Sequence, residues 1–209
     1  MKDKFADFIA KSTIKAADRD HRRKINFNIG KYNSVVPQGK QQFSDLHLAR
    51  ERAKNIKWKA ISTLDTQLED FEAAIMKRGA KVIWAENAAE ALEAVKKICE
   101  EKNCKTLVKS KSMVTEEIHL NEFLEKNGIE SVETDLGEYI QQLDGEPPYH
   151  IVTPAMHKSK EDVARLFSHK LGTDPKATPE QLTLVARKVL REKYVQAEVG
   201  VTGANFIIA

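Results

Sequence analysis

The sequence is poor in the residues that several common classes of protein need. Its 209 residues include only two cysteines, Cys99 and Cys104. Two thiols are too few for a disulfide framework or for the four thiolates of an iron–sulfur cluster. No apolar run approaches the roughly 20 residues that cross a bilayer, and the N-terminus lacks the apolar core and cleavage site of a secretory signal. We therefore predict a cytoplasmic protein with no membrane span.

Charge of one sign and the common cofactor motifs are also lacking. The chain carries 34 basic and 31 acidic residues, a net charge of +3, which is too small a surplus to indicate nucleic-acid binding. Its one basic cluster, DRDHRRK at 18–24, has no interleaved aromatic residues and is typical of a solvated helix face. Neither GxGxxG nor GxxxxGK(S/T) occurs, and no two histidines lie four residues apart as zinc ligands on a helix do. We predict no nucleic-acid partner and no metal site.

The texture of the sequence changes near residue 80. Residues 1–79 have mostly helical periodicity and end at Gly79, so we predict a helical N-terminal region. Residues 80–209 alternate short β-branched runs with amphipathic segments. This alternation predicts an α/β domain, with a mostly parallel sheet and helices on both faces. The expected strands are KVIWA (81–85), KTLVKS (105–110), IESVET (129–134), YHIVT (149–153) and NFIIA (205–209).

Polar residues follow the second strand in the stretch KSKS. Ligands of open parallel sheets bind beyond the carboxyl ends of the strands. Lys109 and Lys111, the hydroxyls of Ser110 and Ser112, and the N–H groups of the next helix are suited to holding an anion such as a small carboxylate. In the alternative interpretation Ser112 or Thr115 only caps a helix, and both lysines are solvated.

Two further junctions are expected at the same edge of the sheet. TDLGE supplies Asp135 and Glu138, and Asp135 is either a helix cap or a carboxylate that faces a ligand. His157 follows a predicted strand, where a histidine either shuttles protons or binds a ligand, or is simply exposed. Glu116 suits the positive end of a helix dipole and is another candidate carboxylate. A fourth junction, GVTGAN, precedes the strand NFIIA and is expected at the opposite edge.

Three motifs together resemble a known family. KSKSMVTEEIHLNEFLEKNGIESVETDLGEYIQQL, HIVTPAMH and GVTGANFIIA are similar to the LUD domain of the lactate-utilisation B subunits, from about residue 40 to the end. The resemblance implies a fold related to the ribose-phosphate isomerase and CoA-transferase superfamily. It also implies a role in oxidising L-lactate to pyruvate beside companion lactate-utilisation subunits. The family's [4Fe-4S] clusters belong to a cysteine-rich module after the LUD domain.

The family's pattern continues beyond NFIIA, and this sequence does not. We therefore expect a fragment that holds no cluster, is inactive alone and is truncated within the α/β domain. The resemblance supplies no catalytic residue. Two alternatives to an electron-transfer subunit stay open. One is a stand-alone isomerase or CoA-transferase-like enzyme that uses the carboxylate of Glu116 or Glu138, and the other is a non-catalytic docking module.

Overall fold

The computed structural model describes residues 4–149 and 153–203. The chain divides into two compact units, Met1–Asn28 with Asn87–Ala209, and Ile29–Glu86. These units do not correspond to the predicted helical region and α/β domain. The boundary predicted near residue 79 therefore stays a prediction. No helix within the described ranges is both long enough and apolar enough to cross a membrane.

The first four helices bury none of their residues. They are α1 (Lys4–Ala17), α2 (Arg19–Lys40), α3 (Leu46–Ser62) and α4 (Leu64–Met76). Asp45 is the N-cap of α3, because its side chain accepts a hydrogen bond from the backbone N–H of Leu48 at 2.9 Å. The helical character predicted for the N-terminal region is confirmed.

Among the described residues, the sheet has three parallel strands in the order β2-β1-β3. β1 is Thr106–Lys109, β2 is Glu130–Glu133 and β3 is Val199–Val201. All three carboxyl ends therefore meet at one edge. The predicted parallel α/β architecture is confirmed, and β1 and β2 lie within the stretches expected to be strands.

Helices cover both faces of this sheet because successive side chains of a strand point to opposite sides. Leu107 packs on one face with residues of α5 (Ala88–Glu101) and α7 (Leu120–Lys126). Val108 and Val132 pack on the other face with residues of α8 (Leu136–Asp144) and α10 (Pro179–Gln196). The central strand β1 thus contributes to the packing on both faces.

Two further helices, α6 and α9, belong to the unit that contains the sheet. α6 (Met113–Glu117) follows β1, and α9 (Lys160–Leu171) packs against α8 and α10 around the buried Phe167. Ser159 and Thr178 both form capping boxes, at the starts of α9 and α10. Reciprocal side-chain and backbone hydrogen bonds of this kind satisfy N–H groups that a helix start leaves unpaired.

Three expected strands have different outcomes. KVIWA is not a strand, because residues 81–85 form no ladder with any described segment, and Ile83 and Trp84 are each 57% exposed. YHIVT has its centre at 150–152, outside the described residues, and NFIIA lies wholly outside them. The placement of GVTGAN was wrong. Residues 199–201 are themselves a strand parallel to β1, so Thr202 and Gly203 follow it at the carboxyl edge.

Candidate functional site

A buried ion pair lies where β1 and β2 end. Their register places Lys109 opposite Glu133, on the face of the sheet that Leu107 also occupies. The Lys109 side chain is 0% exposed, and its Nζ lies 2.6 Å from Oε1 of Glu133 and 2.8 Å from Oε1 of Glu116. Burial acts to lower the pKa of Lys109, but hydrogen bonds to the two carboxylates hold it above its ordinary value. The lysine is therefore charged.

All three N–H donors of this ammonium are used inside the protein. The third is donated to the Oγ1 of Thr115, at 3.0 Å. A lysine has three donors and no acceptor, so the observed arrangement leaves none for a bound anion. The anion site around KSKS stays a prediction, and the other members of that stretch have partners or roles of their own.

The two serines of KSKS hold the backbone. Ser112 caps α6, because its Oγ accepts a hydrogen bond from the Thr115 N–H at 3.2 Å. Ser110 donates to the Oγ1 of Thr202 at 2.9 Å, which joins the end of β1 to the end of β3. Lys111 is half-buried, and its charge acts on Glu138. The capping role considered for Ser112 is thus observed.

Glu138 approaches the same cluster from α8. Asp135 caps this helix by accepting hydrogen bonds from the N–H groups of Gly137 and Glu138, at 3.0 and 3.2 Å. The cap fixes the first turn of α8, and the Glu138 side chain is buried there, 3% exposed. Burial raises the pKa of Glu138 to about 7, and the adjoining Glu133 carboxylate adds to this effect, against the lowering influence of Lys109 and Lys111. Such a carboxyl exchanges protons near neutral pH.

Amide side chains surround Glu133. Asn121, in the first turn of α7, donates to Oε1 of Glu133 at 2.8 Å and accepts a hydrogen bond from the Ser131 hydroxyl at 2.8 Å. Gln142 donates to the Ser131 carbonyl and accepts from the Glu133 N–H at 3.0 Å. His119 precedes α7 in the left-handed region, with φ of 56°. This conformation separates α6 from α7 and starts the helix that carries Asn121.

A cavity of about 520 Å³ opens over this cluster. Its described lining includes Glu116, Glu133 and Glu138, together with Gln141 and the ring of His119. Volumes of this size are typical of small-molecule sites. Of the predicted site residues, the structure therefore brings Lys109, Glu116 and Glu138 together.

His157 belongs to a second cavity, of about 470 Å³. Its Nε2 lies 3.0 Å from Oε2 of Glu146, and its ring centroid is 4.7 Å from that of Tyr149. The His21 ring lies beside both, and its Nε2 is 3.0 Å from the Tyr149 hydroxyl. Burial lowers the pKa of His21. Sequence reasoning had no signal for this pairing, because His21 and His157 are far apart in the chain.

Glu133 is the site residue that sequence reasoning missed. The run IESVET predicts a strand that includes Glu133, and a residue inside a strand is usually expected to have only a packing role. A signal was present, however. Alternation along IESVET places Ser131 and Glu133 on one face, and two polar residues on a face that packs against helices require buried partners.

Comparison with known proteins relates this chain to a family. The LUD domain family model matches residues 68–209. The chain belongs to the LUD domain family. No solved structure matches it.

This LUD chain is also similar to curated proteins. It is 47% identical over 161 residues to Lactate utilization protein B of Bacillus velezensis, a match that covers 77% of the chain and 34% of that protein. It is 41% identical over 204 residues to Lactate utilization protein B of Macrococcus caseolyticus, which covers 97% of the chain and 40% of that protein. The LUD chain thus spans between a third and two fifths of the length of these relatives.

Proposed function

We propose that this LUD chain is part of a subunit that serves the oxidation of L-lactate to pyruvate. The observation that carries the proposal is 41% identity to a Lactate utilization protein B over 97% of the chain. In this proposal the partners are companion lactate-utilisation subunits. Electrons pass through [4Fe-4S] clusters that are held outside these 209 residues.

The two cysteines of the chain do not fit an iron–sulfur cluster. Cys99 and Cys104 lie in the apolar core with Leu107 and Leu124. Burial raises the pKa of both thiols, that of Cys104 to about 12, whereas cluster ligands are thiolates. The described residues also contain no group of three or more histidine, cysteine or acidic side chains placed to hold a metal ion. In this proposal the clusters are therefore bound by residues other than those of this chain.

The cavity over Glu133 and Glu138 is the part of the LUD domain that we assign to ligand binding. It lies at the carboxyl edge of a parallel sheet, where such folds bind their ligands. It also combines a buried ion pair with a carboxyl group whose pKa is near neutrality. Strongly perturbed carboxyl groups in clefts are typical of functional sites.

Growth on L-lactate tests the assignment to lactate utilisation. The gene that encodes the chain is deleted in its own organism, and growth is compared with L-lactate or pyruvate as sole carbon source. We expect the deletion strain to grow on pyruvate and to fail on L-lactate, with growth restored by the intact gene. Undiminished growth of the deletion strain on L-lactate would refute the proposal.

A stand-alone acid–base enzyme is a second candidate, and the buried Glu138 carboxyl favours it. An isomerase needs a group that removes and returns a proton, and a pKa near 7 suits that task. Exchange of carbon-bound hydrogen in D₂O, followed by proton NMR on sugar phosphates and 2-hydroxy acids, would detect such an activity in the chain alone. If no substrate exchanges faster with the chain than with its Glu138→Gln variant, this candidate is excluded for those compounds.

A further inference from the structure

We propose that the cavity over Glu133 and Glu138 binds an organic cation, a ligand that carries an ammonium or guanidinium group. This inference goes beyond a role in lactate oxidation and does not depend on it. It rests on buried acceptor atoms that lack donors, on the charge of the cavity and on its size. It is the opposite of the anion site that the KSKS stretch suggests.

Three buried oxygens, on residues that line the cavity, have no hydrogen-bond donor among the described residues. They are Oε2 of Glu133, Oε2 of Glu138 and Oε1 of Gln141. The three residues are 3%, 3% and 1% exposed, and all line the cavity. Leaving a buried polar atom unpaired costs free energy, and more for a charged group. A proton on Glu138 is shared with Glu133 when Glu138 is neutral. When Glu138 is ionised, all three atoms are acceptors, and the group that would satisfy them is a donor.

The remaining wall adds negative charge. Six glutamates line the cavity, and no lysine or arginine does so within the described part of the wall; the six are Glu116, Glu122, Glu125, Glu133, Glu138 and Glu146. The ammonium of Lys109 offsets part of this charge from below, but its donors are already shared among Thr115, Glu116 and Glu133. Lys158 offsets another part, because its Nζ lies 3.0 Å from Oε2 of Glu146. The potential in the cavity therefore attracts cations and repels carboxylates and phosphates.

An organic cation fits better than a metal ion. No three acidic, histidine or cysteine side chains of the described residues converge as metal ligands. Two carboxylate oxygens and one amide oxygen instead match the N–H groups of an ammonium or guanidinium, which are donors only. A cavity of about 520 Å³ has room for such a group with its carbon chain.

Binding of a cation should be linked to the protonation of Glu138. The charged groups that act on its carboxyl are Glu133 from β2, Lys109 from β1 and Lys111 from the loop after it. With a pKa of about 7, this carboxyl is mostly ionised at pH 8 and mostly neutral at pH 6. If only the ionised form binds, the affinity for a cation falls about tenfold between pH 8 and pH 6.

The experiment uses the full chain and agmatine, which carries both an ammonium and a guanidinium group. Calorimetry gives the affinity at pH 8 and pH 6, and amide chemical shifts show where the probe binds. The comparison ligands are 1,4-butanediol, L-lactate, inorganic phosphate and Mg²⁺. Glu138→Gln removes the charge with little change in shape, and Glu101→Gln is the matched control, at an exposed glutamate of α5 that does not line the cavity. Thermal melting first establishes that both variants are folded.

We expect agmatine to bind at pH 8 and to shift the amides of Glu133, Glu138 and Gln141. The affinity should fall about tenfold at pH 6, and at least tenfold in Glu138→Gln, but less than threefold in Glu101→Gln. Three results would overturn the proposal: no agmatine binding up to about 10 mM, the same amide shifts with lactate or phosphate, or Mg²⁺ binding more tightly than agmatine at these residues.

Discussion

Replacing Lys109 by methionine tests the buried ion pair at the end of β1. The change keeps the length of the side chain and removes the ammonium. Glu133, 3% exposed, would keep only the Asn121 amide as a donor to Oε1 and would have none to Oε2. Removing one partner of a buried pair typically costs about 3–5 kcal/mol, because the other charge is left buried and uncompensated. We expect a loss of that size in the free energy of unfolding.

Urea denaturation at pH 7 measures this loss. Lys105→Met is the matched control, since this exposed lysine lies just before β1 and its replacement should change stability by less than about 0.5 kcal/mol. The double variant Lys109→Met with Glu133→Gln should be more stable than the sum of the two single losses predicts, by about 0.5–3 kcal/mol. A loss below about 1 kcal/mol for Lys109→Met would refute the reasoning.

Three further predictions concern neighbouring groups. The folded chain binds the Glu138 proton more tightly than the unfolded chain, because folding raises the pKa of this carboxyl to about 7. Its contribution to the free energy of unfolding is therefore fully present below pH 4.5 and is lost as the pH rises through about 7. Glu138→Gln should therefore be more stable than the parent by about 1–3 kcal/mol at pH 8 but not at pH 4.5, as judged by urea denaturation. Gly203→Ala should cost about 1–3 kcal/mol in the same assay, because its Cβ would lie 2.2 Å from the Ser112 Oγ; an unchanged midpoint would contradict the packing. Cys99 and Cys104 should react with a thiol reagent at pH 8 only after unfolding, and rapid labelling of the folded chain would show that they are not buried.

The sequence was sufficient where local chemistry decides structure. Hydroxyl and carboxylate caps at Ser112 and Asp135 follow from residue type and spacing, and both are observed. The runs at 105–110 and 129–134 are short, apolar and bounded by turn residues, so β1 and β2 could be placed to within a residue at each end. These features depend on contacts only a few residues long.

The sequence was insufficient where pairing between distant segments decides the structure. KVIWA has the composition of a buried strand, but a strand needs a neighbour to pair with, and periodicity alone does not supply one. The strand β3 is the stretch VGV, which precedes the apolar run NFIIA. Its position is decided by its pairing with Leu107 and Lys109 of β1, which is distant in the chain. Pairing of Lys109 with Glu133 likewise requires the strand order, which the sequence did not provide.

Growth of a complemented deletion strain on L-lactate tests most directly whether this cavity is the functional site of the LUD domain. The strain receives the full-length gene carrying either Glu138→Gln or the control Glu101→Gln, which lies outside the cavity lining, with protein levels matched by immunoblot and growth on pyruvate as the reference. The account predicts that Glu101→Gln restores growth on L-lactate and that Glu138→Gln does not. Equal growth of the two strains on L-lactate would contradict it.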